Sequence, residues 1–182
     1  MKEAHFQLKQ KLQQYGAVTP AAWAAICSRM NLIKVTFNTS FIRKEGTLAY
    51  VAKGLIKECA VDQRTTPSVI GFISSKQCLL TRRHNQNHYL KACTDSTIYY
   101  WDLETLESLY KEFKELKVIY DHLCAEYDIM VLLRMRLLEV SVVERIATFK
   151  SVFKEVLPYL KKKDIANYLN LHYTHFLRHW NS

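Results

Sequence analysis

Apolar and polar residues follow different spacings along the chain, and each spacing predicts a different kind of element. Residues 1–31 look helical, and within them Thr19 and Pro20 form a favoured helix start, an N-cap followed by proline at the first helical position. From about Leu32 to Trp101 the chain changes to short segments rich in β-branched and aromatic residues, with turn residues between them. This middle region predicts a small β-sandwich or barrel.

A long helical pattern follows and covers about residues 116–143. Its apolar positions advance by four and three residues in turn, the spacing of a heptad seam that packs against another element. The seam consists of Leu116, Tyr120, Leu123, Tyr127, Met130 and Leu137, with Arg134 at one step between them. Neighbouring positions such as Ile129 and Leu132 are apolar too, so we expect one face to lie on the β-region and the seam to meet a second copy of the chain. A single long core helix explains the spacing equally well.

The segment 162–182 has the spacing of a helix-turn-helix. Its apolar positions, counted from Lys162, are the fourth, eighth, tenth and fifteenth: Ile165, Leu169, Leu171 and Phe176. Ala166 is the small residue that lets two helices approach closely, and Asn170 stands where the turn needs a left-handed residue. His179 departs from the pattern, because its position is normally apolar. Two surface helices of a bundle would give the same apolar spacing, but not Ala166 and Asn170 together, so the segment predicts a DNA-binding motif.

The charge distribution favours the same interpretation. The chain has 182 residues, of which 49% are hydrophobic and 24% charged, values that are ordinary for a globular protein of one large or two small domains. Of the net charge of +9, residues 145–182 carry +5, because seven Lys or Arg there face two acidic residues. A basic surplus on the predicted DNA-binding segment indicates a polyanionic partner.

Other kinds of chemistry find little support. The chain contains no Gly-rich phosphate loop, GxSxG, HExxH or paired-carboxylate signature, so we expect no enzyme, no cofactor and no metal. His172, His175 and His179 share a helical face that could bind zinc, but no acid or thiol ligand lies nearby in sequence, and we favour roles in DNA contact or helix packing. The five cysteines form no CxxC pair, as in reduced cytoplasmic proteins. We expect neither a signal peptide nor a membrane span.

Several motifs resemble the Crp/Fnr (catabolite activator) family of transcription regulators. RKEGTLAYVAKGLIK, from Arg43 to Lys57, looks like the family's Glu-Gly turn followed by a strand ending in Lys-Gly-Leu. HYLKACTDSTIYYWDLETLESLYKEF, residues 88–113, looks like its late strands and the short helix after them, and DIANYLNLHYTHFLRHW looks like its DNA-binding motif. The resemblance covers nearly the whole chain.

The resemblance implies an α+β fold with an N-terminal helix, a jelly-roll β-barrel sensor domain, a long dimerisation helix and a C-terminal helix-turn-helix. The corresponding boundaries are residues 1–115, 116–143 and 144–182. It further implies a cytoplasmic homodimer that binds double-stranded DNA at a roughly palindromic site, since a two-fold dimer places paired recognition helices on half-sites about one DNA turn apart. RNA polymerase and a small-molecule effector of unknown identity are further expected partners.

The effector region departs from the family pattern. Members that bind cyclic AMP carry a Gly-Glu pair followed by an arginine that neutralises the cyclic phosphate. Residues 70–92 contain no Gly-Glu pair, and the remaining candidates for an effector pocket are Gly71, Arg82 and Arg83. Two adjacent arginines in a polar loop are usually exposed to solvent, so we expect that the pocket is degenerate and does not bind cyclic AMP. Cys27 is the one cysteine near the N-terminus, which argues against an iron–sulfur cluster.

The resemblance also assigns roles on the second helix of the motif. Positions 173, 174, 177 and 178 match those where family members touch bases or phosphates, and here they hold Tyr173, Thr174, Leu177 and Arg178. Arg178 is the best candidate for direct readout, because arginine can bind guanine O6 and N7 together. The expected phosphate contacts come from Lys161, Lys162 and Lys163, with His172 and His175 as helpers.

The sequence therefore predicts a dimeric DNA-binding transcription regulator whose effector pocket is degenerate. The alternative is a cyclic nucleotide-binding-like sensor or protein-interaction module with a non-functional DNA-binding end. His179 in a normally apolar position motivates that alternative.

Overall fold

The computed structural model of the chain describes residues 2–42, 44–61 and 66–181. The side chains of Lys2, Ile42 and His84 are not described either. Arg43, the first residue of the motif that resembles the Glu-Gly turn, lies outside the described residues.

Seven α-helices form within the described residues: α1 (Lys2–Gln13), α2 (Pro20–Ser28), α3 (Leu103–Glu112), α4 (Glu115–Glu139), α5 (Val142–Val152), α6 (Lys162–Tyr168) and α7 (Tyr173–Trp180). Local capping fixes several of their starts. The predicted cap of α2 is confirmed, since the Thr19 hydroxyl accepts a hydrogen bond from the Ala22 amide at 3.1 Å. The Asp102 carboxylate caps α3 in the same way through the Thr105 amide at 2.9 Å.

Eight strands occupy the middle of the chain: β1 (Asn31–Val35), β2 (Ser40–Ile42), β3 (Leu48–Lys53), β4 (Leu55–Ala60), β5 (Ser68–Ser74), β6 (Cys78–Leu80), β7 (Tyr89–Ala92) and β8 (Ser96–Trp101). They form two antiparallel four-stranded sheets, ordered β1-β8-β3-β6 and β2-β7-β4-β5. The pairs β1–β8, β2–β7, β3–β6 and β4–β5 nest within one another, as in a jelly roll.

The predicted jelly-roll β-barrel is not closed, and the alternative of a sandwich describes the two sheets. The two sheets have separate edges, β1 and β6 in one and β2 and β5 in the other. Side chains of the sheets and the surrounding helices fill the interior, with Tyr50, Ile56, Leu90 and Tyr99 among the most deeply buried. The strands therefore enclose their core by sheet packing and by helices, and over the described residues the two sheets remain separate.

A second hydrophobic cluster joins the β-sheets to the C-terminal helices. Leu55 on β4 and Phe72 on β5 pack with Phe149 on α5, Ile165 on α6 and Phe176 on α7. The helix-turn-helix thus shares a continuous core with the sheet β2-β7-β4-β5, and its orientation relative to that sheet is held by packing.

Helix α4 corrects one prediction about the heptad seam. Leu116, Leu123, Tyr127 and Leu137 are buried inside the chain, and Tyr120 and Met130 are half-buried against the same two clusters. This seam packs on the chain's own core, so it is not the surface that can meet a second copy. This face is that of a core helix, which was the alternative interpretation. The spacing could not distinguish the two, because an apolar row that fills the core needs the same four-and-three spacing as a dimer seam. In the described part of the chain, no helix has the length and apolar character to cross a bilayer.

Candidate nucleic-acid interface

The turn between α6 and α7 has the geometry that the sequence predicts. Asn170 has a φ of 53°, in the left-handed region. Its amide donates to the Asn167 carbonyl at 3.0 Å, and the Leu171 amide donates to the Ala166 carbonyl at 2.8 Å. These two bonds form a Schellman motif, in which a left-handed residue ends the helix and its last carbonyls are satisfied. The prediction of two helices joined by a left-handed turn is confirmed.

One face of α7 belongs to the core and fixes how the helix is presented. Phe176 is fully buried, and Trp180 packs its ring 4.9 Å from that of Phe176. The Trp180 carbonyl accepts a hydrogen bond from Lys150 Nζ at 2.7 Å, and the same ammonium lies 4.6 Å from the indole ring. His179 is half-buried and stacks edge-on against His175, with ring centroids 4.8 Å apart. Trp180 thus supplies an aromatic contact to the core beside the unusual histidine.

The opposite face of α7 is open to solvent and carries the predicted base-contacting residues. Thr174, His175 and Arg178 are exposed, whereas Tyr173 is half-buried. The exposed His172 and Thr174 side chains are hydrogen bonded, Nδ1 to Oγ1 at 2.8 Å, at the start of the helix. Among the described residues, Arg178 has no carboxylate partner. Its guanidinium is therefore exposed and is not engaged by a carboxylate of the described chain.

The three predicted phosphate-binding lysines lie together at the start of α6 and are exposed. Lys163 Nζ is 5.8 Å from the ring of Tyr173 on α7, and Lys161 Nζ is 5.2 Å from the ring of Phe37 on the β1–β2 turn. Cation–π contacts of this kind hold a flexible ammonium near a fixed ring and leave its donors accessible. Lys163 therefore lies beside the start of α7, and Lys161 lies beside the β1–β2 turn.

Polar contacts that the sequence analysis missed fix α6 to the sheet. The Asn167 side chain accepts from the Val69 amide at 2.7 Å and donates to the Pro67 carbonyl at 3.0 Å. Lys57 on β4 forms an ion pair with Asp164 on α6. In the sequence, Asn167 looks like an ordinary polar residue of a helix, beside the buried Ala166 and Tyr168. Its hydrogen-bond partners are distant along the chain and are seen only in the folded structure.

Two arginines, one on α4 and one on α5, bind the carbonyl groups at the end of α6. Arg134 on α4 donates through Nε to the Tyr168 carbonyl at 3.1 Å and stacks over that ring at 5.6 Å. Arg145 on α5 donates to the Leu169 carbonyl at 2.9 Å, and also to the carbonyls of Leu138 and Val140 that end α4. The signal for Arg134 was its charge inside an otherwise apolar seam.

An aromatic cluster forms the apolar part of the same junction. Phe72 on β5 lies 6.0 Å from Phe149, 5.8 Å from Phe153 and 5.3 Å from Tyr168, measured between ring centroids. Burial raises the pKa of Tyr168 to about 12, so its hydroxyl stays neutral. The β-sheet and helices α5 and α6 thus meet through four aromatic rings.

The predicted effector residues do not come together. A cavity of about 200 Å³ lies between β4, β5 and α4, and Gly71 lines it. Arg82 points elsewhere, because its guanidinium forms a two-pronged pair with the Asp128 carboxylate at 2.9 and 3.3 Å. Arg83 is exposed and does not line the cavity. Of the three predicted effector residues, Gly71 lines this cavity, and Arg82 and Arg83 do not.

A buried polar chain borders that cavity. The Asn85 side chain donates to the Tyr127 hydroxyl at 3.0 Å, and that hydroxyl donates to Glu58 Oε2 at 2.9 Å. Glu58 Oε1 is paired with His88 Nδ1 at 2.9 Å. Glu126, which is paired with Lys11 at 2.7 Å, also lines the cavity. The charged residues that line the cavity are thus Glu58 and Glu126, each with its own partner, and Arg134 from α4.

The fold is the same as that of known regulators. No protein-family model matches the chain, and no curated protein matches it. Among solved structures, FixK2 from Bradyrhizobium japonicum has a TM-score of 0.70 at 14% identity, covering 84% of this chain and 83% of its own. A Crp/Fnr-family protein from Eubacterium rectale has a TM-score of 0.69 at 16% identity, covering 88% and 81%. The c-di-GMP-responsive global regulator CLP from Xanthomonas campestris has a TM-score of 0.65 at 14% identity, covering 90% of each chain. The chain therefore has a Crp/Fnr-like fold.

Proposed function

We propose that the protein is a dimeric DNA-binding transcription regulator of Crp/Fnr type that does not respond to cyclic AMP. The observation that carries this proposal is the exposed face of α7 with Thr174, His175 and Arg178. The lysines at the start of α6 are exposed too, and Lys163 lies near Tyr173 at the start of α7. A helix-turn-helix places such a face in the major groove, where arginine reads guanine and lysines bind phosphates. The Crp/Fnr-like fold supports the same assignment.

A second apolar row on α4 supports the dimer. Val118, Ala125, Ile129 and Leu132 lie on the side of α4 opposite the buried seam, with His122 between them, and they again advance by four and three residues. Val118, Ile129 and Leu132 are 54%, 62% and 48% exposed, which is unusual for large apolar side chains in a row. Pairing this row with its copy by a two-fold axis would bury it as a heptad seam.

The effector cavity supports independence from cyclic AMP. Binding an anionic phosphate requires positive charge or several free amide donors. Here Glu58 and Glu126 line the cavity together with Arg134, which donates through Nε to the Tyr168 carbonyl, and the Arg82 guanidinium is occupied by Asp128. An effector of this pocket would be uncharged or cationic, and it would act only by binding one orientation of α4 and the DNA-binding unit more tightly than another. RNA polymerase would be the further partner through which the bound dimer acts.

Selection from a random duplex library with the purified protein, at two salt concentrations, tests the proposal. We expect enrichment of a two-fold symmetric site with half-sites about one DNA turn apart, and we expect the site to persist at the higher salt. Binding without a motif that vanishes with salt would mean counterion release alone and would overturn the proposal in favour of a sensor or interaction module. Cyclic AMP should leave the enriched site and its affinity unchanged.

A further inference from the structure

A basic cleft lies where the β-sheets meet the start of α6. Phe37, Lys57, Lys91, Tyr159 and Lys161 are its principal lining residues, and the term basic cleft refers to these five. Three are lysines from three separate elements, and two are exposed aromatic residues. The single carboxylate at its wall, Asp164, is already paired with Lys57. The basic cleft therefore retains a net positive charge.

Two lysines of the basic cleft lie where their like charges repel, and this repulsion does not stabilise the fold. Lys57 on β4 and Lys91 on β7 are directly opposite each other in the antiparallel register, so their side chains leave the sheet on the same face. Like charges directly opposite across strands destabilise a sheet. Asp164 offsets the charge of Lys57, but Lys91 has no carboxylate partner among the described residues. An anion in the basic cleft would relieve this repulsion.

The aromatic wall of the basic cleft is held rigidly. The Phe37 amide donates to the Asp95 carboxylate at 2.7 Å, and the Asn38 amide donates to the Ala92 carbonyl at 2.9 Å. Asn38 has a φ of 66°, so the turn has a defined left-handed residue at its tip. Phe37 is nevertheless 54% exposed, and its ring lies under Lys161 Nζ. The Phe37 ring is thus exposed and does not belong to the hydrophobic core. It lies where it can position the ammonium group of Lys161.

We infer that the basic cleft is a second DNA-contact surface, through which the β-domain binds backbone phosphates beside those held by Lys162 and Lys163. Lys161 belongs to both groups, so one continuous basic surface runs from α6 onto β7. A double-stranded backbone matches this surface better than a free phosphate, since its charges are spaced along a line that spans several lysines. This inference rests on the proposed DNA binding, and it adds that DNA is held by the β-domain and the helix-turn-helix together.

Lys91→Ala is the most informative variant. It should weaken binding to the selected duplex and reduce the slope of log K against log salt by about 0.9 per chain, which corresponds to about eightfold per chain at 0.1 M salt relative to 1 M. The selected sequence should be unchanged, because phosphate contacts position the protein without reading bases. Its thermal midpoint should stay equal or rise, because the variant removes a like-charge pair. Lys111→Ala, at an exposed lysine of α3 outside the basic cleft, is the matched control and should change neither quantity.

The outcomes separate the inference from the function on which it rests. A wild-type protein that selects no motif would overturn both. A wild-type protein that selects a symmetric site, with Lys91→Ala and Lys111→Ala giving the same salt slope as wild type, would overturn only the basic cleft. A reduced slope in Lys91→Ala accompanied by a lower thermal midpoint would indicate a structural role for Lys91 and would also count against the inference. Phe37→Ala should weaken binding with little change in slope, since it removes the ring that positions Lys161.

Discussion

Asn167 joins α6 to the region of β5, and this contact predicts how firmly the helix-turn-helix is held against the sheet. Asn167→Ala removes both hydrogen bonds of that side chain and leaves the Val69 amide and the Pro67 carbonyl without these partners. Each such group costs about 1–3 kcal/mol when it is fully buried, and this site is only partly buried, so we expect a loss of about 1–3 kcal/mol in total. For a chain of this size that loss lowers the thermal midpoint by about 2–12 °C.

The decisive readout for Asn167→Ala is local. Hydrogen exchange should accelerate at the amide of Val69 and along α6, while the amides of the central strands β3 and β8 keep their protection. Asn167→Asp keeps the acceptor for the Val69 amide and loses the donor to Pro67, so its effect should be smaller. Asn87→Ala, at an exposed turn residue, is the control. Unchanged exchange at α6 and an unchanged midpoint in Asn167→Ala would refute the reasoning that these bonds hold the two parts together.

Three further predictions follow from other parts of the structure. Ile129→Glu and Leu132→Glu should convert the dimer to monomers in analytical ultracentrifugation without a large change in the monomer fold, because both side chains are exposed; dimers that persist in the double variant would exclude the second apolar row of α4 as the interface. Asn170→Gly should keep the thermal midpoint, whereas Asn170→Val should cost about 1–2 kcal/mol because its φ of 53° suits residues without a branched Cβ; equal midpoints would contradict the left-handed turn. The hydrogen bonds from Thr105 lower the pKa of the Asp102 carboxyl. The carboxylate should therefore stabilise α3 fully above about pH 4, the pKa of an unfolded aspartate, and this stabilisation should be lost as the pH falls through the lower pKa of the folded state. An Asp102→Asn variant with the same acid unfolding profile as wild type would contradict this.

Local signals in the sequence were sufficient for the helix-turn-helix. Asn170 and Ala166 have conformational and steric roles that depend on residues within one turn, and the structure gives both the expected positions. The start of α2 at Thr19 and Pro20 was predictable for the same reason. Short-range chemistry decides such features, so a single sequence carries them.

Spacing alone could not show which face of α4 is buried in the core of the chain. The buried row through Leu116 and Leu123 and the exposed row through Val118 and Ala125 have the same four-and-three period and differ by a shift of two residues. Which row is buried depends on what the β-sheets present to the helix, and that is a long-range property. The open edges of the sheets are likewise determined by tertiary packing, because strand patterns alone do not distinguish a sandwich from a barrel.

The residues around the effector cavity were also beyond local reasoning. Glu58 lies in an apolar strand, and its partners Tyr127 and His88 come from distant parts of the chain. The sequence makes Arg82 a candidate to bind an anion, but in the structure its guanidinium is paired with Asp128 on α4. A charged residue that looks available in a sequence can be paired across the fold, so the ligand-binding capacity of Arg82 could not be judged from its sequence position.

The ratio of affinities for the selected site and a scrambled duplex, compared between wild type and Arg178→Ala, tests the central claim most directly. The account predicts a wild-type ratio of roughly 10³ or more at physiological salt. Arg178→Ala should lower the free-energy difference that corresponds to this ratio by about 1–3 kcal/mol per half-site. Lys111→Ala should leave the ratio unchanged. A ratio near one for the wild type, or an undiminished ratio for Arg178→Ala, would contradict a dimer that reads DNA through the exposed face of α7.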